Sequence, residues 1–286
     1  MRNLASGTVA FGLLLMTAAC GGSHVSPSRA AVGEGWGEGT KGVPAQAVQV
    51  VAANPPAAAA VPPAQPVQPP PAQSVQPPSA PPAAAPFHCQ PCRVGVQVGH
   101  WEAGQLPQEL SDLRDQTGGD FGPWREIDVN LPVASLVAEL LRQDGVVADR
   151  LPATVPPGYK ADAFLAVHAD RDPQQRWRGY KVAPSAISQN RTASKKLSDD
   201  IATEYAVETQ LPPDIHEGAI TPNMLYYYAF NWKDFQHAVG SRVPAAIVET
   251  GFDSNAEDRD VIYGQQPLLA KALADGIERF LRESVA

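Results

Sequence analysis

Two histidines and two glutamates in this chain have the types and positions that hydrolytic chemistry needs. His100 follows Gly99 at the end of an alternating, β-branched run, Arg93 to Val98. His168 ends the apolar run AFLAVH, and Glu249 ends the run AAIVE with Thr250, Gly251 and Phe252 behind it. Glu126 lies at the mouth of a long helical pattern. Two histidines and a carboxylate are the donor set of many catalytic zinc sites, which keep a fourth position for water. Zinc brings the pKa of that water toward neutrality. A carboxylate outside the donor set must then take the water's proton and pass it to a leaving nitrogen. This division assigns His100, Glu126 and His168 to Zn2+ and Glu249 to proton transfer. Thr250-Gly251 is expected to turn the backbone sharply so that the Glu249 carboxylate faces a cleft. Glu102 is the alternative ligand, while His24, His88, His216 and His237 read as ordinary residues.

The elements that must carry these side chains can be read from periodicity. Strands are expected at Arg93–Val98, in VVADRL, AFLAVH and RGYKVA, and in VPAAIVE. A short helix is expected in LPQELSDLRDQ, closed by Gly118-Gly119. A longer one is expected through Leu131, Ala134, Leu136, Val137, Leu140 and Leu141, N-capped by Asp128 and closed by Gly145. Pro132 should then fall near its first turn. Further helices are expected at Ser194–Thr209 and from Pro267 onward, the last with Leu269, Leu273, Ile277, Phe280 and Leu281 on one face. This order predicts an α/β fold: a mostly parallel sheet with helices on both faces, and a site beyond the C-terminal ends of the strands. Tyr226, Tyr227, Tyr228, Phe230 and Trp232 form either a stacking groove or a hydrophobic seam under a loop.

Only part of the 286 residues suits a core. Residues 1–20 have a charged start, a short apolar segment and small residues before Cys20, the pattern of an export signal. The apolar segment is too short to span a bilayer. Cys20 after TAA resembles a lipoprotein cleavage site, which implies a lipid on its thiol and a membrane anchor in the cell envelope. Residues 21–86 become rich in Pro, Ala and Gln, a composition that favours an extended linker. Residues 87–286 remain for one folded domain. The formal net charge of −8 and the lack of a basic run exclude a nucleic-acid surface. Cys89 and Cys92, ahead of a strand rather than a helix, are expected to form a local disulfide and not a redox motif.

The stretches GH at 99–100, REIDVNLPVA at 125–134, AFLAVHAD at 163–170 and AAIVETGFDSN at 245–255 together resemble the zinc-dependent N-acetylmuramoyl-L-alanine amidases of the Amidase_3 type. The resemblance implies zinc held by His100, Glu126 and His168, catalysis by Glu249, and peptidoglycan as substrate. It departs from the family at Gln97, where Asp is usual, and at Trp101-Glu102, where glycines are usual. Two other readings are a wall-binding module without turnover and a zinc amidohydrolase or peptidase on another envelope substrate. No activating protein can be named from the residues.

Overall fold

The computed structural model describes residues 85–283. The signal segment, Cys20 and the linker up to residue 84 lie outside the described residues. Five strands form the main sheet in the order β4-β1-β5-β7-β6. They are β1 (Arg93–Val98), β4 (Val147–Leu151), β5 (Ala163–Asp170), β6 (Lys181–Pro184) and β7 (Ala245–Phe252). All neighbours are parallel except β6, which runs antiparallel to β7 at one edge. β2 (Asp120–Phe121) and β3 (Trp124–Arg125) form a separate hairpin. The expected α/β class and mostly parallel sheet are observed.

The two faces of the sheet are covered differently. Val94, Val96, Val98, Leu165, Val167, Ala246 and Val248 face a core built with α1 (Ile127–Gln143), α2 (Arg191–Thr209) and α5 (Gln266–Arg282). On the other face Phe164, Ala166, Ala245 and Ile247 pack under loops, the short α3 (Pro222–Leu225) and a 3-10 turn, Tyr228–Phe230. Side chains alternate along a strand. His168 therefore continues the row of Phe164 and Ala166, and Glu249 the row of Ala245 and Ile247. Both titratable groups belong to the loop-covered face.

Helix α1 begins at Ile127 with Glu126 as its N-cap residue, not at Asp128. The carbonyl of Glu126 already accepts the Val129 and Asn130 N–H groups, each at 3.0 Å, while its own N–H donates to Gly119. Pro132 thus lies in the second turn. Its missing N–H would leave the Asp128 carbonyl unpaired, and the Gln266 side chain fills that role by donating to it at 2.8 Å. Val129, Val133, Val137 and Leu141 bury one stripe completely. Gly145 closes the helix as expected, at φ +84°.

The expected helix after His100 forms instead as two 3-10 segments, Ala103–Gln105 and Gln108–Leu113, with Leu106 and Leu110 buried. A further helix, α4 (Ala256–Ile262), follows Asn255, whose side chain caps it by accepting from the Glu257 and Asp258 N–H groups. Cys89 and Cys92 are disulfide-bonded, with Cα atoms 4.9 Å apart, just ahead of β1. Among the described residues no helix is long and apolar enough to cross a membrane.

Helices α2 and α5 touch closely at Gly276. A Cβ there would lie 2.5 Å from the Ile201 Cα. Alanine normally gains about 0.5–1 kcal/mol over glycine inside a helix, but forcing two backbones apart costs about 1–3 kcal/mol. Gly276→Ala is therefore expected to lower the urea midpoint of unfolding; an unchanged or higher midpoint would contradict this packing.

Candidate active site

His168 stands at the end of the buried strand β5 and is only 6% exposed. Its ring lies over Gly99, where a Cβ would come within 2.6 Å of both ring nitrogens, so the Gly-His order at 99–100 has a steric cause. His100 follows in the left-handed region at φ +64°, a costly conformation for a residue with a side chain. That turn aims its ring back over the sheet end, with its centroid 4.9 Å from that of His168 and the planes nearly perpendicular. The His100 Nδ1 lies 2.7 Å from the Gln116 carbonyl, which can only accept. Nδ1 therefore carries the proton and Nε2 presents a lone pair. Burial, opposed by Glu126, holds the His100 pKa below its usual value.

Glu126 joins the two rings. Its Oε1 lies 3.0 Å from His168 Nδ1 and its Oε2 lies 3.4 Å from His100 Nε2. The Gly119 N–H donates to Oε2 at 2.8 Å, and the Asn130 amide and Ala169 N–H donate to Oε1 at 3.0 and 3.2 Å. Burial pushes the Glu126 pKa up. The bond and charge of His168, then His100 and the Gly119 N–H, outweigh it and bring the pKa down to about 2. The carboxylate is ionised at neutral pH.

The donor atoms of His100, Glu126 and His168 all lie within 4.8 Å of one another. Ligands about 2.1 Å from a tetrahedral zinc are separated by roughly 3.4 Å along each edge. The contacts of 3.0 Å from Glu126 Oε1 to His168 and 3.4 Å from Oε2 to His100 are of that order, and the residue types match a three-ligand set that leaves a fourth position for water. Glu102 is exposed and is not part of this group. His216 stacks on Trp177 and contacts Asp214, and His237 contacts Glu109; neither joins the site.

Glu249 is the register neighbour of His168 across the parallel β5–β7 pair. In place of the expected sharp turn at Thr250-Gly251, β7 continues to Phe252 with a register shift against β5 after Glu249, and Gly251 stands at φ +157°. Strand alternation aims Glu249, and the Thr250 hydroxyl ties the next residue to the His168 carbonyl at 3.0 Å. Burial, and then the charges of Asp170 and Glu126, push its pKa well above the ordinary glutamate value, while Lys181 opposes them. Lys181 is its neighbour on β6 and is itself ion-paired with Asp170.

Three contributors were not assigned from periodicity. Tyr227, part of the aromatic run, reaches the site: its hydroxyl lies 3.0 Å from His168 Nε2, and burial keeps it protonated. Tyr228 contacts Gln97, the residue at the family's usual Asp position. Asn130 lies one turn beyond Glu126 and links it to the Gly99 carbonyl. The i, i+4 spacing of Glu126 and Asn130 was a signal for this pair. Asp253 is completely buried and neither carboxylate oxygen has a hydrogen-bond partner among the described residues.

Burial pushes the Asp253 pKa from 3.8 up to about 7, against the pull of Arg171. Between those values the folded protein holds a proton that the unfolded chain has lost, so stability falls as pH rises through that window. Asparagine keeps the neutral form at every pH. In chelator-treated protein, Asp253→Asn should gain at least about 1 kcal/mol over wild type at pH 8 and little at pH 4.5. Urea unfolding at both pH values tests this; an equal effect at the two would refute it.

Residues 99–279 match the family described as N-acetylmuramoyl-L-alanine amidase, Amidase_3. No curated protein matches. Among solved structures the chain is similar to N-acetylmuramoyl-L-alanine amidase AmiC2 of Nostoc punctiforme, at 19% identity and a TM-score of 0.46, covering 67% of this chain and 98% of that one. It is also similar to the N-acetylmuramyl-L-alanine amidase Ami1 from Mycobacterium smegmatis, at 17% identity and 0.47, covering 66% and 96%. The catalytic domain of CwlV from Bacillus (Paenibacillus) polymyxa var. colistinus gives 18% identity and 0.44, covering 66% and 98%. Since the family match spans more than half of the sequence and contains both histidines, Glu126 and Glu249, the chain belongs to the Amidase_3 family of N-acetylmuramoyl-L-alanine amidases.

Proposed function

We propose that this protein is a zinc-dependent peptidoglycan hydrolase that cuts the amide between the lactyl carbonyl of N-acetylmuramic acid and L-alanine. The observation that carries the reading is the convergence of His100, Glu126 and His168 beside Glu249, inside the segment that matches the amidase family. Bound by those three residues, zinc would supply Lewis acidity and a water of near-neutral pKa.

The protein's own groups then account for the proton. Glu249 accepts it from the attacking water as oxygen bonds to the carbonyl carbon. It returns the proton to the alanine nitrogen as the carbon–nitrogen bond breaks. A carboxyl group with raised proton affinity suits both halves of that transfer, and Lys181 keeps the affinity from rising further. Glu126, itself held by Asn130, holds the two imidazoles at the sheet end, and the Tyr227 hydroxyl fixes the far side of the His168 ring. A binding module without turnover gains no support from Trp101. That ring packs against the helix-side core and under the Arg150 guanidinium, 4.7 Å away.

We also propose that the protein is exported and anchored in the cell envelope by a lipid on Cys20, with residues 21–86 as the linker to its peptidoglycan substrate. The support is the signal-like composition of residues 1–20 and the small residues before Cys20. Cys20→Ser should move the protein from the membrane fraction to the soluble envelope fraction; unchanged membrane association would reject the anchor.

Glu249→Gln should retain zinc and lose about 100-fold or more of the hydrolysis of purified peptidoglycan. His168→Ala or a chelator should remove metal and activity together. Metal analysis beside a turnover assay on one preparation separates the roles. A Glu249→Gln protein with lower thermal stability but full activity would make Glu249 structural, and one that loses its zinc would make it a ligand.

A further inference from the structure

The hairpin that precedes Glu126 holds two cations in place. Arg171 donates through Nη1 to the Asp120 carbonyl at 2.7 Å. Arg259 donates through Nη1 to the Asp253 carbonyl at 2.8 Å, and its guanidinium carbon lies 5.6 Å from the ring centres of both Phe121 and Trp124. Trp124, 37% exposed, rests on the Tyr263 ring at 4.7 Å. The neighbouring arginines 125, 176 and 178 are each paired with a carboxylate, of Asp128, Asp172 and Asp258. Among the described residues Arg171 and Arg259 have no such partner, and each guanidinium makes one hydrogen bond to a backbone carbonyl. Most of their five N–H donors each remain free.

The stem of Arg171 begins close to the proposed ligands. Around the point where a Cβ on Gly119 would stand, the Arg171 Cβ is 3.5 Å away, Glu126 Oε2 is 3.7 Å away and Asp253 Oδ2 is 3.4 Å away. Arg171 therefore starts across a single glycine from Glu126. Asp253 lies on the same glycine, but it is fully buried and its carboxyl group bonds to neither guanidinium. The remaining N–H donors of exposed Arg171 and half-buried Arg259 are left to a ligand. Planar guanidinium groups match carboxylates through paired N–H donors, and the aromatic rings reduce the entropy lost when Arg259 binds.

We propose that Arg171 and Arg259 form a subsite for a carboxylate on the peptide beyond the scissile amide. The inference rests on the amidase reading. In that substrate the muramyl unit's only carboxyl group is already consumed in the scissile amide, so any free carboxylate belongs to the peptide.

The test compares two probes, N-acetylmuramoyl-L-alanyl-D-glutamate and its diamide, in which both glutamate carboxyl groups are carboxamides. The zinc-loaded wild-type protein should cleave the dicarboxylate with a kcat/KM roughly tenfold higher, mostly through KM, as expected for a charged hydrogen bond. In Arg171→Gln and Arg259→Gln the ratio of the two kcat/KM values should fall toward one. Equal cleavage of both probes by wild type would overturn the subsite and leave the amidase reading standing. A preference that persists in both variants would remove these arginines from it. Wild-type protein that cleaves neither probe nor purified peptidoglycan would overturn the amidase reading and the subsite with it. The wild-type ratio needs no substitution, and exposed Arg171 is the variant least involved in folding.

Discussion

Glu126 is 5% exposed, its carboxylate is ionised, and it is in contact with five groups drawn from four places in the chain. Gly119 and Ala169 reach it with backbone N–H groups, Asn130 with its amide, and His100 and His168 with ring nitrogens. Taking such a charge out of water costs several kcal/mol, and hydrogen bonds to a charged group return about 1.5–3 kcal/mol each. The carboxylate therefore has a stable place only if the loop after β1, the hairpin, the start of α1 and the end of β5 all arrive together. Each of those segments is positioned by this requirement as much as by its own propensity.

Around that anchor the sheet divides the labour. The helix-side face of β1, β5 and β7 packs into a core in which α1, α2 and α5 bury whole stripes. The other face is covered by loops and a short helix, and it is there that His168, Glu249 and Tyr227 gather. A site needs irregular, accessible backbone, while a scaffold needs dense packing. One strand serves both because its side chains alternate, so β5 gives Leu165 and Val167 to the core and His168 to the site.

Unfavourable local features cluster where the chemistry is expected. His100 adopts a left-handed conformation, the Asp253 carboxyl group is buried with no hydrogen-bond partner among the described residues, and Glu249 sits near two other carboxylates. Each lowers stability, and each is held by well-packed neighbours instead of relaxing. The arginine pair lies beside them, two cations without carboxylate partners among the described residues.

The sequence by itself determined the class of fold and singled out four residues, His100, Glu126, His168 and Glu249, that the structure brings to one end of the sheet. Buried parallel strands read as continuous apolar runs, so a titratable residue at the end of such a run is visible without coordinates, as His168 and Glu249 were. The helix starts and the disulfide were also close to legible, because capping and short-loop chemistry are local. What the chain could not announce was decided over long sequence distances. Gln266 supplies the hydrogen bond that lets Pro132 sit in a second turn, and Tyr227 turns out to face His168. Strand alternation, not a turn, aims Glu249, and Arg171 and Arg259 come to flank one hairpin. Periodicity records whether a residue is buried and on which side of its own element. It does not record which distant element it meets, and that choice follows only once the whole core has packed.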